Sequence, residues 1–260
     1  MSRAGEGSAP PLLAVDGLAK AYGGVLAVDG VSFALRPGEV LALIGPNGAG
    51  KSTCFAMLGG QIAPDRGRVR LLGRDVTGLP PRRLAGAGVG RTFQVAAAFA
   101  SMTVRENVQL ALLGHEGHER TVWRPFRPLG AFAAVPAEAL LERVGMAADA
   151  GRPVGELAYG DLKRLEFALA LAASPRLLLM DEPTAGMAPA GRGDLMRLVA
   201  ETARDDGVGV LFTEHDMDVV FAHADRVMVL DRGRLIAEGT PEAVRADPQV
   251  RAVYLGGEPP

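Results

Sequence analysis

The sequence of 260 residues has a single cysteine, Cys54, and lysine only at positions 20, 51 and 163. One thiol cannot close a disulfide within the chain, so a hydrophobic core has to hold the fold. Cys54 stands where a small apolar residue would serve equally well and is assigned no chemistry. Long apolar runs are also missing. The longest uncharged stretches, Ser52 to Pro64 and Thr92 to Val104, contain polar residues and fall short of the roughly 20 apolar residues that a membrane span needs. Nothing in the sequence is expected to cross a bilayer. Positive charge is not in excess: the formal net charge is -2 and the pI is about 6.1. No global field would hold the chain to nucleic acid or anionic lipid, so no nucleic-acid partner is expected. Met1 to Pro11 is rich in Gly, Ser, Ala and Pro with no apolar core. It reads as a flexible tail rather than a signal peptide, which points to the cytoplasm.

What is present is ordinary globular composition, 48% apolar and 22% charged. Val40 to Ile44 is a continuous apolar run ending at Gly45, the pattern of a strand buried on both faces that delivers the chain into a loop. Similar runs end at Asp181, Glu214 and Asp231. Between them lie helical spacings: Leu162, Leu165, Leu169 and Ala172 share one face, with Asp161, Lys163, Arg164 and Glu166 elsewhere. Alternating strand and helix implies crossover units around a mainly parallel sheet, with functional groups at the carboxyl ends of its strands. Two regions depart from this. Residues 12–37 carry short alternating stretches that suggest an antiparallel β edge. Residues 96–157 hold helical pieces, Val104 to Leu113 and Ala137 to Val144, joined by a Pro- and Gly-rich segment, and suggest an inserted helical subdomain.

The segment Gly45-Pro46-Asn47-Gly48-Ala49-Gly50-Lys51-Ser52-Thr53 has the form GxxxxGKS, preceded by the buried run and followed by a helical Lys51 to Leu58. Its glycines let successive backbone N–H groups turn toward phosphate oxygens, and the helix N-terminus adds its positive dipole. Lys51 would reach the β- and γ-phosphates of a nucleotide, and Ser52 would ligate Mg²⁺. Leu177 to Met180 then leads into Asp181 and Glu182. Asp181, at the strand end, suits a Mg²⁺ contact through water, while Glu182 suits polarising an attacking water.

With these residues in place the sequence resembles the ATP-binding subunit of an ABC transporter from about Leu12 to its end. The resemblance implies an α/β fold with a P-loop NTPase core, and it places residues 12–260 in one ATP-binding domain. It also implies roles for residues weak in isolation. Gln94 resembles the glutamine that joins the sheet core to the helical subdomain and senses Mg²⁺ and the attacking water. His215 resembles the switch histidine on the γ-phosphate, and Tyr22 the aromatic that stacks on adenine. Leu157-Ala158-Tyr159-Gly160-Asp161 stands where the family carries its signature, commonly LSGGQ, which faces the γ-phosphate held by the opposite subunit. Here Ala158 lacks the hydroxyl, Tyr159 and Gly160 follow, and Asp161 brings a carboxylate that favours the helix but could repel phosphate. Ala188 sits where many members carry aspartate.

The resemblance implies ATP hydrolysis, a Mg²⁺ cofactor and two ATP molecules sandwiched between two such subunits, as a homodimer or with a nonidentical sister ATPase. Membrane permeases and, indirectly, a solute-binding protein are the implied partners, which would place the chain peripherally on the cytoplasmic face of the membrane. The forms Leu157-Ala-Tyr-Gly160, Ala185-Gly-Met-Ala-Pro189, Glu214-His-Asp-Met217 and the ending Gly239-Thr-Pro-Glu…Asp247-Pro…Val253-Tyr-Leu-Gly256 are similar to ATPases of branched-chain amino acid importers. That ending is expected to lie outside the ATP chemistry. Alternatives are the ATPase of a urea or short-amide importer, that of a lipopolysaccharide exporter, a soluble ABC ATPase acting on DNA or ribosomes, or a module that binds ATP without turning it over.

Overall fold

Every residue of Val40–Ile44 is buried, and successive side chains enter two different cores. Val40, Ala42 and Ile44 face one; Leu41 and Leu43 face the other. A strand covered on both faces has no polar side, which is why its sequence reads as an unbroken apolar run.

The structure, a computed structural model, describes residues 10–92, 98–115 and 134–255. In chain order the elements are β1 (Leu13–Tyr22), β2 (Val25–Leu35), β3 (Val40–Ile44), α1 (Lys51–Leu58), β4 (Arg66–Leu71), β5 (Arg74–Asp75), α2 (Pro81–Gly86), β6 (Val89–Arg91), α3 (Val104–His115), α4 (Ala134–Arg143), α5 (Tyr159–Leu171), β7 (Leu177–Asp181), α6 (Pro189–Asp206), β8 (Gly209–Thr213), α7 (Met217–His223), β9 (Arg226–Asp231), β10 (Arg234–Gly239) and α8 (Pro241–Ala246). Two short helical turns, Pro248–Val250 and Arg251–Leu255, follow.

The main sheet has the order β10-β9-β3-β8-β7-β6. β9, β3, β8, β7 and β6 are parallel, and β10 closes one edge antiparallel to β9. One face packs on helices: Leu165, Phe167 and Ala168 of α5, Leu195 and Val199 of α6, and Val220 of α7 share a core with Leu178, Met180, Val210 and Phe212. The other face meets α1 and a second sheet of order β2-β1-β4-β5. Leu18, Val31, Leu35, Phe55 and Leu71 fill that second core against Leu41, Leu179 and Leu211. At about 1.5–3 kcal/mol for each fully buried Leu, Val or Phe, these two layers are the bulk of what stabilises the chain.

The ends of the helices follow local rules. Thr103 and Glu106 form a reciprocal capping box at the start of α3, with Thr103 N–H donating to Glu106 Oε2 at 2.8 Å and Glu106 N–H to Thr103 Oγ1 at 3.2 Å. Asp216 caps α7 through Oδ1, and α6 opens on Pro189 and stops at Gly207 in the left-handed region, φ +67°. The start of α1, by contrast, has Gly50 before it and no side-chain cap, so its free N–H groups are left for another partner.

The α/β class, the P-loop core and helix Lys51–Leu58 agree with the sequence reading. The antiparallel part is larger than expected, because β4 and β5 join β1 and β2 in a separate sheet. Lys163 and Glu166 correct an expectation: instead of lying on a polar face they are buried as an ion pair, 3.0 Å apart, because α5 is covered on both sides of that stripe. Residues 1–9 of the tail and Gln94 lie outside the described residues. Among the described residues no helix is long and apolar enough to cross a membrane.

Cys54 is fully buried in the second core, and burial pushes its thiol pKa up to about 12. At pH 8 only about one thiol in ten thousand would be ionised, and thiolate is the reactive form. The native protein is therefore expected to leave a water-soluble disulfide reagent unreacted, whereas denatured protein yields one thiol; a native thiol reacting at the denatured rate would contradict the packing of α1.

Candidate functional site

β3 ends at Ile44 and hands the chain to Gly45, whose φ is +147°. A Cβ at this position would come within 2.0 Å of the Leu230 carbonyl oxygen, and one at Gly50, φ +103°, within 2.2 Å of the Ala27 carbonyl oxygen. Glycine is required at both positions by close backbone approach as well as by dihedral angle. The Gly233 amide donates to Ala49 O at 2.9 Å and fastens the loop from a third side. The loop therefore runs with its backbone fixed into the uncapped start of α1.

Lys51 is buried, and its ammonium donates to Gly45 O at 2.5 Å and Pro46 O at 3.1 Å. Desolvation lowers its pKa, opposed by the nearby Glu182 and Asp181 carboxylates. The charge is thus parked on two carbonyls of its own loop, with two acids within electrostatic reach.

Those acids come from the end of β7 and are positioned by the end of β8. Thr213 Oγ1 donates to Asp181 Oδ1 at 2.7 Å and accepts from Glu182 N–H at 3.2 Å. Glu182 N–H also reaches Thr213 O at 3.1 Å. Glu182 has φ +49°, a left-handed conformation that costs a non-glycine residue about 1–3 kcal/mol. The cost is met by these bonds, and the result is that the Glu182 carboxylate meets His215 Nε2 at 2.9 Å.

A cavity of about 210 Å³ is lined by Asn47 to Thr53 together with Ala27, Glu182 and His215. Of the residues singled out in the sequence, the structure thus gathers Asn47, Gly48, Ala49, Gly50, Lys51, Ser52, Thr53, Glu182 and His215 around one space. Gly45 and Pro46 act behind it through Lys51, and Asp181 lies behind Glu182. Tyr22, half exposed at the end of β1, is not among the lining residues, and neither are Ala158, Tyr159 and Gly160. Ser52 lines the cavity beside Lys51 and offers a hydroxyl, and the Asp181 carboxylate lies within electrostatic reach of Lys51. That oxygen set suits Mg²⁺, which binds few protein ligands and keeps the rest of its shell for water and phosphate.

The segment 158–161 forms the start of α5, with Ala158 as N-cap giving no side-chain cap and Asp161 in the first turn. It packs on the loop after β7. A Cβ at Gly186 would come within 3.0 Å of the Tyr159 ring, and one at Gly160 within 3.7 Å of Met187 Cε. Lys163 Nζ stands 5.6 Å from the Tyr159 ring centroid, a cation–π contact that the ion pair with Glu166 holds in place.

Sequence reasoning assigned no role to four residues: Thr213, Thr184, Glu214 and Arg192. Thr213 and Thr184 have no signal beyond following apolar strands and acids. Glu214, 3% exposed, accepts from Thr184 N–H and Oγ1 at 2.8 and 2.6 Å and from His215 N–H at 3.1 Å. Arg192 Nη1 reaches Asp216 Oδ2 at 2.5 Å across the same two loops. The C-terminal ending adds a contact that the sequence did not show. Tyr254 packs against the main core and its hydroxyl is hydrogen-bonded by the backbone of Gly45, although burial still raises its pKa. Tyr254 therefore meets the backbone at Gly45, a contact between distant segments that no local pattern encodes, while the ending contributes no residue to the cavity lining.

Comparison with known proteins gives matches along nearly the whole chain. Residues 28–185 match the family model described as ABC transporter, and residues 234–259 match one described as branched-chain amino acid ATP-binding cassette transporter. The high-affinity branched-chain amino acid transport ATP-binding protein LivG of Salmonella typhimurium is 42% identical over 252 residues, covering 95% of this chain and 98% of that one. The corresponding BraF protein of Pseudomonas aeruginosa is 40% identical with the same coverage. Among solved structures, an ATP-binding cassette of an ABC transporter in its ADP conformation superposes with TM-score 0.83 at 32% identity, covering 96% of this chain and all of the other. A nucleotide-free cassette gives TM-score 0.82, also at 32% identity, covering 95% of this chain and all of the other.

The glycines of the loop separate steric from dihedral constraint. Gly48 has φ +80° but open space around a Cβ, so Gly48→Ala is expected to cost about 1–2 kcal/mol. Gly45→Ala places a methyl group on the Leu230 carbonyl and should cost clearly more. Urea unfolding of both variants is the check, and equal costs would mean that the loop is free to shift away from β9.

Proposed function

The chain belongs to the ABC transporter family of ATP-binding subunits and is an ATPase of that kind; on that premise we propose that it powers the uptake of branched-chain or related hydrophobic amino acids. The observation that carries the catalytic part is the single cavity in which the phosphate loop, Lys51, Glu182 and His215 meet. The solute class rests on the match of residues 234–259 and on the LivG and BraF relatives.

In this reading the loop amides of 47–51 and the uncapped start of α1 receive the phosphates of ATP. Lys51 exchanges the carbonyls of Gly45 and Pro46 for phosphate oxygens, so its buried charge is never left unpaired. Ser52, Asp181 and Gln94 would hold Mg²⁺, which supplies charge neutralisation between the phosphates. Glu182 polarises the attacking water. His215 fixes the Glu182 carboxylate through the 2.9 Å contact and faces the γ-phosphate. Tyr22, exposed at the end of β1, is the residue expected to stack on adenine. The segment Ala158-Tyr159-Gly160 does not line its own chain's cavity, which supports its use on the nucleotide of a second subunit, identical or a sister ATPase. Residues 96–157 form the helical subdomain in this reading, and the groove between it and the sheet receives the permeases. The chain sits peripherally on the cytoplasmic face of the membrane, and a solute-binding protein selects the cargo outside.

Glu182→Gln keeps the shape of the residue and removes the base. Turnover should fall about 10²–10⁴-fold with ATP binding kept, and ATP should drive the variant to about twice the monomer mass in light scattering, alone or after the sister ATPase is added. Lys51→Ala should lose both binding and turnover. Hydrolysis by Glu182→Gln at the wild-type rate would overturn the assignment of the base. For the solute, vesicles carrying this chain with permeases from the same operon should take up leucine in an ATP-dependent way, and uptake of another solute class alone would overturn that part.

A further inference from the structure

We propose that Glu214 is a positioning residue for ATP hydrolysis, a buried carboxylate that locks the loop carrying Glu182 to the loop carrying His215. The proposal rests on the ATPase reading above and goes beyond it to a residue that touches neither the cavity nor nucleotide.

The observation is where the carboxylate spends its hydrogen bonds. β8 is buried throughout, and Glu214 follows it while still only 3% exposed. A carboxylate in such a place is costly unless several donors satisfy it. Both oxygens are used, and on different loops. Oε1 takes the amide and the hydroxyl of Thr184, two residues after Glu182, at 2.8 and 2.6 Å; Oε2 takes the amide of His215 at 3.1 Å. No basic side chain forms an ion pair with Glu214 among the described residues, so the bonds to the two loops are its role. A Ser or Thr at 214 has a single oxygen and could not reach both.

The neighbours make the strip continuous. Thr213 binds Asp181 and Glu182, Glu214 binds Thr184, His215 binds Glu182, and Asp216 binds Arg192. Four successive residues after the middle of β8 thus each engage the segment 181–192. Of these, Glu214 is the one that ties the histidine's own backbone to the loop beyond the base. If that tie loosens, the phosphate loop keeps its geometry and ATP still binds. The Glu182–His215 pair loses its fixed separation, and a pair that has to be aligned within a fraction of an ångström then works more slowly.

The signature of such a residue is a loss in kcat with KM retained. Thr184→Val removes one hydroxyl donor to the carboxylate without changing side-chain size, and Thr184→Ser keeps it. On the full-length chain, with the sister ATPase present if turnover requires it, Thr184→Val should lower kcat for Mg²⁺·ATP about 10–100-fold, with KM within about threefold. Thr184→Ser should recover to within about twofold of wild type. Glu214→Gln, which cannot accept from both loops, should lose at least as much. If Glu214→Gln does not fold, the two Thr184 variants decide. Wild-type kcat in Thr184→Val overturns the proposal, and so does a loss that the serine fails to rescue or that falls equally on KM. Glu182→Gln run alongside separates the two readings: if it too turns over at the wild-type rate, the catalytic reading has failed, whereas an inactive Glu182→Gln beside a fully active Thr184→Val sinks the positioning role alone.

Discussion

The structure depends on how closely one loop approaches two carbonyl groups. Gly45 lies against the backbone of β9 and Gly50 against that of β2, each so tightly that a single carbon would overlap a carbonyl oxygen. β9 belongs to the main sheet and β2 to the antiparallel one. The phosphate loop is therefore wedged between two sheets and has its shape only when they are docked. Asp29, which bonds the β9–β10 turn through its amide and Arg234 through its carboxylate at 2.7 Å, holds the sheets at that spacing. The second core is consequently part of the site. A cavity-forming change at Phe55 or Leu35 would act on the loop by letting the sheets drift, with no contact to nucleotide of its own.

This dependence explains what could and could not be read from the sequence. The loop, the strand before it and helix Lys51–Leu58 follow one another along the chain, so glycine spacing and an apolar run express them directly. The same holds for Asp181 and Glu182 after Leu177–Met180. β4 escapes because its outward residues, Arg66, Arg68 and Arg70, make the segment look like a charged connection, and only Val69 and Leu71 enter the core. Lys163 and Glu166 mislead for the opposite reason. Charged residues are expected on a solvated face, yet three residues apart on a helix they neutralise each other and can be buried together. The contact of Tyr254 with Gly45 joins positions about two hundred residues apart, and no periodicity reports on such a meeting.

The two chemical halves of the site are held by different means. The loop is held by steric fit, which leaves its amides free. Glu182 and His215 are held by hydrogen bonds from the end of β8, in a conformation that Glu182 would not adopt by itself. The division is physically sensible. Phosphate binding needs donors in a fixed array before ligand arrives, whereas a residue proposed to polarise water has to be aimed, and aiming is done by strain that neighbouring bonds overcome. Lys51 stands between the halves. It is parked on carbonyls of the first and feels the carboxylates of the second, so the move to phosphate proposed for it would alter the field at Glu182.

The start of α5 extends this argument beyond one cavity. Tyr159 and Gly160 pack on Gly186 and Met187, in the loop that begins at Glu182 and is tied through Thr184 to Glu214. Any shift of His215 and Glu214 would therefore be felt within one short loop by the segment proposed above to face the nucleotide of a second subunit. Ala158 brings no hydroxyl to that segment, but the half-exposed Tyr159 ring packs on the loop, with Lys163 Nζ 5.6 Å from the ring centroid and paired to Glu166. Compared with the common LSGGQ form, this segment lacks a hydroxyl and packs an aromatic ring against the loop after β7. In the proposed reading this arrangement fixes the geometry between the two faces of the subunit, which would suit a subunit that works by closing on a second copy and reopening.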